Sequence, residues 1–385
     1  LLNLLTDVAG VRVGHATDLA LGSGVTAILF DTPAVAAACI AGGAPGTRDT
    51  EMLRPENAVE RIDAVVFSGG SAFGLDAAGG AQAWLREAGR GTAFAGARVP
   101  LVASAILFDL THGGDKDWGR FSPYRELGHV ASAAAAAGRF ALGTVGAGTG
   151  ATTATCKGGI GSASAVTAHG HRVAALVAVN ALGSVTVGAS RHFWAAPFEC
   201  AGEFGGLGLP ATFAAADLAF RPPPRATPAT TLGLVVTDAA LSPPQAQRLA
   251  IMANDGLARA ILPAHAPLDG DAMFAASTGR RGLENPLDEL TELGHVAAIV
   301  VARAIARGVF EATALPQPGA LRGWRLATMC CASASATAPA GSRPRSSRIA
   351  ESASGGSSPG GSTRSPAGSH GTGDTVTASP ASTGA

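Results

Sequence analysis

The sequence predicts a layered α+β fold over residues 1–312. Three observations carry that prediction. Short apolar runs bounded by glycines have the length and composition of strands. Alanine-rich stretches repeat apolar residues at helical spacing. The order is mixed in the first two-thirds and then reads strand–helix–strand–helix, with no simple βαβ alternation.

Taken in order, residues 25–30 and 64–67 are β-type runs. Residues 72–88 form a helical pattern with Leu75, Ala78, Ala81 and Leu85 on one face and Gly89 as its C-cap. Residues 101–108 are a further apolar run. Residues 127–137 read as an alanine-rich helix closed by Gly138. Residues 173–179 are a strand ending at Asn180, and 232–236 are a strand following a threonine pair. Ser242-Pro243-Pro244-Gln245 gives an N-cap serine, a proline at the first helical position and a glutamine three residues on. Asn285-Pro286-Leu287-Asp288 opens a second helix in the same way. Residues 313–331 are a transition. From 332 to 385, Ser, Gly, Ala, Pro and Thr dominate, and such a segment cannot bury enough surface to offset its ordering entropy. It is expected to be a disordered tail, or else the product of a shifted reading frame, which resequencing decides.

Composition bounds the function. Hydrophobic residues make up 47% of the 385, so a large core is available. Positive and negative charges balance at 28 each, which gives no electrostatic argument for nucleic acid or an anionic membrane as partner. Five irregularly spaced cysteines without a C-x-x-C pattern argue against a disulfide framework or a zinc site, and no other metal or cofactor is called for. No secretory leader pattern opens the chain, and no 18-residue apolar run lacks glycine or charge. The expectation is a soluble, cytoplasmic protein.

Several motifs resemble known sites without their context. Gly146-Ala147-Gly148-Thr149-Gly150-Ala151 fits a loose dinucleotide fingerprint, but the Thr- and Gly-rich sequence after it cannot open a helix, so tight turns explain it better. Ser68-Gly69-Gly70-Ser71-Ala72-Phe73-Gly74 resembles a nucleophile elbow with Phe73 where the closing glycine belongs. A tight strand-to-helix turn with a capping serine is the better account. The histidines show no metal spacing, and His169-Gly170-His171 reads as a solvated hairpin turn. In Asp269-Gly270-Asp271 two carboxylates flank a glycine before a β-type run. Either an Asx turn or a carboxylate pair holding an ammonium group fits.

Thr230-Thr231 stands where a polar segment, with Arg221-Pro222-Pro223-Pro224-Arg225 in it, becomes a strand. A hydroxyl at that junction suits an enzyme that cuts its own backbone and uses the new N-terminal threonine as nucleophile.

Together these residues resemble the DmpA-type L-aminopeptidase/D-esterase family, which includes β-aminopeptidases and nylon-oligomer hydrolases. The resemblance spans about residues 3–312. It rests on Thr6-Asp7-Val8-Ala9-Gly10-Val11-Arg12-Val13-Gly14-His15, Gly42-Gly43-Ala44-Pro45-Gly46-Thr47-Arg48, Leu53-Arg54-Pro55-Glu56-Asn57 and the Ser68–Asp76 stretch. Lys157-Gly158-Gly159-Ile160-Gly161-Ser162, Val177-Ala178-Val179-Asn180, Thr230-Thr231 and Asp269-Gly270-Asp271 continue it in order.

The resemblance implies a four-layer αββα sandwich like that of N-terminal nucleophile hydrolases, autocleavage between Ala229 and Thr230 into chains 1–229 and 230–312, and a homotetramer of cleaved protomers. It implies Thr230 as nucleophile, Asn180 at the oxyanion, Asp269 and Asp271 near the new amine, and Lys157 near the nucleophile. The implied activity is release of N-terminal amino acids from small peptides, amides or esters. Endo-hydrolysis of ω-amino-acid oligomers, acyl transfer and an uncleaved, non-enzymatic remnant are the alternatives. Two positions depart from the family: Ala229 replaces the usual asparagine before the cut, and Phe108 replaces a tyrosine.

Overall fold

The computed structural model describes residues 1–220 and 228–325. The run Arg221-Pro222-Pro223-Pro224-Arg225 and the 332–385 tail lie outside the described residues. The elements are β1 (Val11–Asp18), β2 (Ser23–Ile40), β3 (Thr47–Arg48), β4 (Arg61–Ser68), α1 (Ala77–Glu87), β5 (Thr92–Phe94), β6 (Ala97–Val99), β7 (Val102–Ile106), α2 (Tyr124–Ala133), β8 (Gly159–Val166), β9 (Arg172–Asn180), α3 (Ala215–Leu218), β10 (Thr230–Ala239), α4 (Pro243–Ala258), β11 (Ala272–Arg281) and α5 (Pro286–Phe310).

Hydrogen bonding follows the order β3-β7-β4-β2-β11-β10-β9-β8, with β1 on β2 and a separate β5–β6 hairpin. Strand β2 joins two layers. Its first half pairs with β1 and β4, its register shifts between Leu29 and Ala34, and its second half continues into β11. Three apolar clusters separate four layers. One lies between α1/α2 and the outer faces of β1, β2, β4 and β7. The central one, with Ile28, Phe67, Leu232, Leu234 and Phe274, lies between the two sheet layers. The third packs β8–β11 against α4 and α5. The expected αββα sandwich is therefore present.

Strand β10 shows why its sequence is so uniformly apolar. All ten of its residues are buried. Leu232, Leu234 and Val236 face the central layer, while Val235 faces the helices, the period-two alternation of a strand covered on both faces. On the outer side α5 lies directly on β8, where a Cβ at Gly161 would stand 1.8 Å from the Ala304 carbonyl oxygen. Only glycine permits that approach. An apolar window of α5 has the length and hydropathy of a membrane span, but 72% of it is buried inside the protein, as in a core helix.

Several boundaries differ from the sequence reading. Residues 25–30 are part of an 18-residue strand. The exposed Asp31-Thr32 and the proline at 33 sit at the register shift, where a missing ladder bond is tolerated. The 127–137 helix begins at Tyr124 and ends at Ala133, because Ala136 leaves it to exchange backbone bonds with Val13 of β1. The 72–88 helix opens as a 3-10 turn over Ser71–Asp76. Its entry has positive φ at Gly70 and Ser71. The cap there is not a serine: Asp109 Oδ1 accepts from Gly70 N at 2.8 Å. Gln245 does accept from Ser242 N at 2.9 Å, closing the start of α4 as expected.

The His169-Gly170-His171 turn is only half solvated, which corrects the sequence expectation. His169 is exposed and pairs with Glu292. His171 is buried, its Nε2 2.5 Å from Glu289 Oε2. Glu289 Oε1 also accepts from the backbone N–H groups of Glu284 and Asn285, so it, not Asp288, receives the orphan donors at the start of α5. These backbone bonds and His171 depress the Glu289 carboxyl from 4.5 to about 2. A depressed carboxylate stabilises the fold above its unfolded value and loses that contribution as pH falls through the folded one. Thermal stability is expected to fall between about pH 4.5 and about 2, and Glu289→Gln to flatten that dependence. Melting curves across the range check it.

Candidate active site

Three strand ends meet at one edge of the inner sheet layer. Thr230 opens β10, Asn180 closes β9, and the turn Asp269-Gly270-Asp271 leads into β11. Antiparallel register places Thr230 directly opposite Asn180. The parallel β10–β11 pairing brings Ala229 into a bridge with Asp269. The sheet thus gathers five of the sequence-predicted residues, and all five are buried.

The Ala229–Thr230 peptide is tightly held. Thr230 Oγ1 donates to the Ala229 carbonyl oxygen at 2.5 Å, and Gly270 N donates to the same oxygen at 2.8 Å. Ala229 N donates to Leu268 O at 3.1 Å. Gly270 is as close as the geometry allows, since a Cβ there would meet Thr230 Oγ1 at 2.5 Å. The carbonyl before Thr230 therefore carries one backbone donor while the threonine hydroxyl lies against it.

Asn180 is oriented on both sides. Its Oδ1 accepts from Thr152 N at 2.9 Å, and its Nδ2 donates to Phe108 O at 3.0 Å. The amide nitrogen carries a second N–H beyond that bond. Phe108 contributes its main chain here, which is independent of the tyrosine-to-phenylalanine difference.

The two carboxylates are not equivalent. Asp271 Oδ1 accepts from Thr231 N at 2.7 Å, and its Oδ2 accepts from His265 N at 3.0 Å and lies 2.9 Å from His265 Nδ1. Asp269 Oδ2 accepts from Ala266 N at 2.8 Å, while its buried Oδ1 has no close hydrogen bond, although the Leu182 backbone N–H approaches the carboxylate. Burial first, and repulsion from Asp271 second, push the Asp269 carboxyl up to about 6. An unpartnered carboxylate oxygen of that kind is a receptor for a cationic donor. The segment turns so that Asp269 lies beside Ala229 and Asp271 receives the Thr231 N–H.

Lys157 is buried, and its three N–H groups go to the carbonyls of Gly148 (2.9 Å), Ala151 (2.7 Å) and Gly158 (2.8 Å). Burial pulls its ammonium down to about 7, against the attraction of Asp109. Lys157 knits the 148–158 loop, whose Thr152 N–H holds Asn180. Gly146–Gly148 form a 3-10 turn leading into this loop, as the turn reading requires. Among the described residues, no group of three or more His, Cys, Asp or Glu side chains is gathered for a metal ion.

Sequence reasoning missed His265, Asn254 and the Gly270 amide. No metal spacing marks the histidines, and His265 pairs instead with Asp271. The one available signal was proximity, as His265 stands six residues before Asp271 on the same loop.

A four-layer αββα fold with a hydroxyl and two carboxylates at strand ends defines the N-terminal-nucleophile class of hydrolase fold. The chain belongs to peptidase family S58, whose profile matches residues 3–320. It is accordingly a hydrolase. A Mycobacterium bovis protein named as an uncharacterized aminopeptidase is 43% identical over 332 residues, spanning 81% of this chain and 94% of that protein. The 6-aminohexanoate-oligomer endohydrolase of Paenarthrobacter ureafaciens is 27% identical over 292 residues, covering 71% of this chain and 74% of that enzyme. Two solved structures share the fold. The β-aminopeptidase of a Burkholderia species gives a TM-score of 0.60 at 24% identity, with coverage of 89% of this chain and 96% of that one. The L-aminopeptidase D-Ala-esterase/amidase of Ochrobactrum anthropi gives 0.61 at 21% identity, covering 84% and 91%.

Proposed function

We propose that this hydrolase is a self-processing aminopeptidase and amidase with Thr230 as its nucleophile. The observation that carries the proposal is the pair of bonds on one carbonyl: Thr230 Oγ1 at 2.5 Å and Gly270 N at 2.8 Å from Ala229 O. In the precursor the Thr230 hydroxyl attacks the Ala229 carbonyl carbon, and the Gly270 N–H supports the oxygen as it gains charge. The C–N bond breaks, the nitrogen takes up the hydroxyl proton, and an ester remains. Water opens that ester, leaving a carboxylate on Ala229 and a free α-amine on Thr230.

In the cleaved enzyme that amine has an intrinsic pKa of about 7.7–8.0 and serves as general base for its own hydroxyl. The hydroxyl attacks an amide or ester carbonyl, the leaving group takes the proton, and water releases the acyl group. The second Asn180 N–H stabilises the tetrahedral oxyanion, and Asp269 Oδ1 receives the ammonium. Lys157 acts by holding the loop that orients Asn180. The names of the mycobacterial relatives favour aminopeptidase action. The endohydrolase relative favours a second reading, internal cleavage of ω-amino-acid oligomers. Product analysis with a blocked and an unblocked oligomer separates the two. As proposed, cleaved protomers assemble as a cytoplasmic homotetramer.

Purified protein is expected to run as two fragments on denaturing gels, with Thr230 at the new N-terminus. The acidic limb of kcat/KM is expected to follow deprotonation of the Thr230 amine, whose intrinsic pKa is about 7.7–8.0. A lasting full-length band would end the self-processing reading. The replacement at Ala229 does not remove the bonds on the scissile carbonyl, which are made by Thr230 and Gly270.

A further inference from the structure

His265 joins the carboxylate pair to α4 of the outer layer. Its backbone is in the left-handed region, at φ 58°. That conformation is uncommon outside glycine, though asparagine, aspartate and histidine adopt it more readily than other residues. Here it aims the N–H and the ring Nδ1 of one residue at one oxygen, Asp271 Oδ2, at 3.0 and 2.9 Å. The other oxygen of Asp271 holds Thr231 N at 2.7 Å, one peptide beyond the nucleophile. A chain of direct bonds thus runs from His265 through Asp271 to the backbone of the nucleophile's strand.

The far side of the ring meets Asn254 of α4, whose Nδ2 lies 3.1 Å from Nε2. The Asn254 Oδ1 is buried with no partner. A side-chain amide is amphoteric. In the orientation seen, Nδ2 donates to a neutral Nε2. Rotating the amide by half a turn presents Oδ1 to the Nε2–H of an imidazolium. Asn254 therefore satisfies the ring in both protonation states and locks neither. The charged groups facing His265 are Asp271, in direct contact, and Asp269, on the same turn.

Resting on Thr230 as the self-released nucleophile, we propose that His265 is a positioning residue that sets the proton affinity of the Asp269–amine pair through Asp271. The imidazolium places a positive charge beside the carboxylates. That charge favours the ionised form of Asp269 and the neutral form of the Thr230 amine, which is the form that can act as base. The hydrogen bond to Asp271 lifts the histidine above its usual value against the pull of burial, which favours the charged ring.

The decisive variant is His265→Asn. Asparagine tolerates positive φ and keeps a donor for Asp271, but it carries no charge. The experiment measures intact mass, kcat and KM across pH for the wild type and the variant. The expected result is normal cleavage, a KM changed by less than about twofold, and an acidic limb of kcat/KM displaced to higher pH by about half a unit to one unit. An undisplaced limb in a cleaved variant overturns the role of His265 and leaves the Thr230 reading intact. A wild type that works without a new N-terminal threonine sinks the Thr230 reading instead. Should His265→Asn fail to fold, NMR titration of the wild-type histidine rings decides. A His265 ring that stays neutral from pH 5 upward refutes the proposal, and one that titrates together with the acidic limb supports it.

Discussion

Thr230→Ala is expected to leave the chain whole and inactive. The substitution removes the hydroxyl that contacts the Ala229 carbonyl, so neither the precursor cut nor substrate attack has its nucleophile. Loss of a covalent nucleophile lowers turnover by at least about 10⁴-fold, and here the base is lost too, because the α-amine is never released. The fold should survive, since Thr230 packs as one buried residue at a strand end whose ladder bonds are main-chain. Denaturing gels, N-terminal sequencing and an amino-acyl nitroanilide assay check the result. Residual hydrolysis at wild-type rates would show that another group attacks. Thr230→Ser retains the hydroxyl and is expected to cut itself and remain active.

Gly270→Ala is the second change with a large expected effect. Its Cβ would fall 2.5 Å from Thr230 Oγ1 and 2.9 Å from the Ala44 carbonyl oxygen. Either the threonine hydroxyl or the turn must move. The hydroxyl is the softer of the two, and displacing it takes the nucleophile off the scissile carbonyl. If the turn moves instead, the Gly270 N–H is pulled from Ala229 O, and one oxyanion donor is typically worth about 10²–10³ in rate. Self-cleavage followed by gel over time should slow by about that factor, with secondary structure by circular dichroism unchanged. A variant that cuts as fast as wild type would mean that Gly270 contributes no strain or donor to the reaction.

Much of this site was legible because it is written in short, local segments. The threonine pair, the Asp269-Gly270-Asp271 turn and Asn180 each mark the end of an apolar run, and strand ends are where a buried sheet exposes polar groups to a cleft. The parts that were not legible depend on cross-sheet geometry. No residue count predicts that His265 reaches Asp271 with both its backbone and its ring. Nor could the sequence show that Lys157 gives its three hydrogens to the carbonyls of Gly148, Ala151 and Gly158 and so helps to scaffold the loop. The 18-residue β2 was obscured for a related reason. Its proline and exposed residues look like a loop, and only pairing on both halves shows a single strand crossing two layers.

By itself the sequence determined the chemical parts: a hydroxyl at a loop–strand junction, two carboxylates about a glycine, an asparagine at the end of an apolar strand, and a family whose members share that order. Those are properties of residue type and spacing along one chain. The tertiary structure decided which parts touch. Antiparallel register set Thr230 opposite Asn180, parallel register set Ala229 beside Asp269, and a left-handed residue turned His265 onto Asp271. Registers between strands far apart in sequence are chosen by the burial of whole faces. That choice belongs to the packed core and cannot be read from the residues that benefit from it.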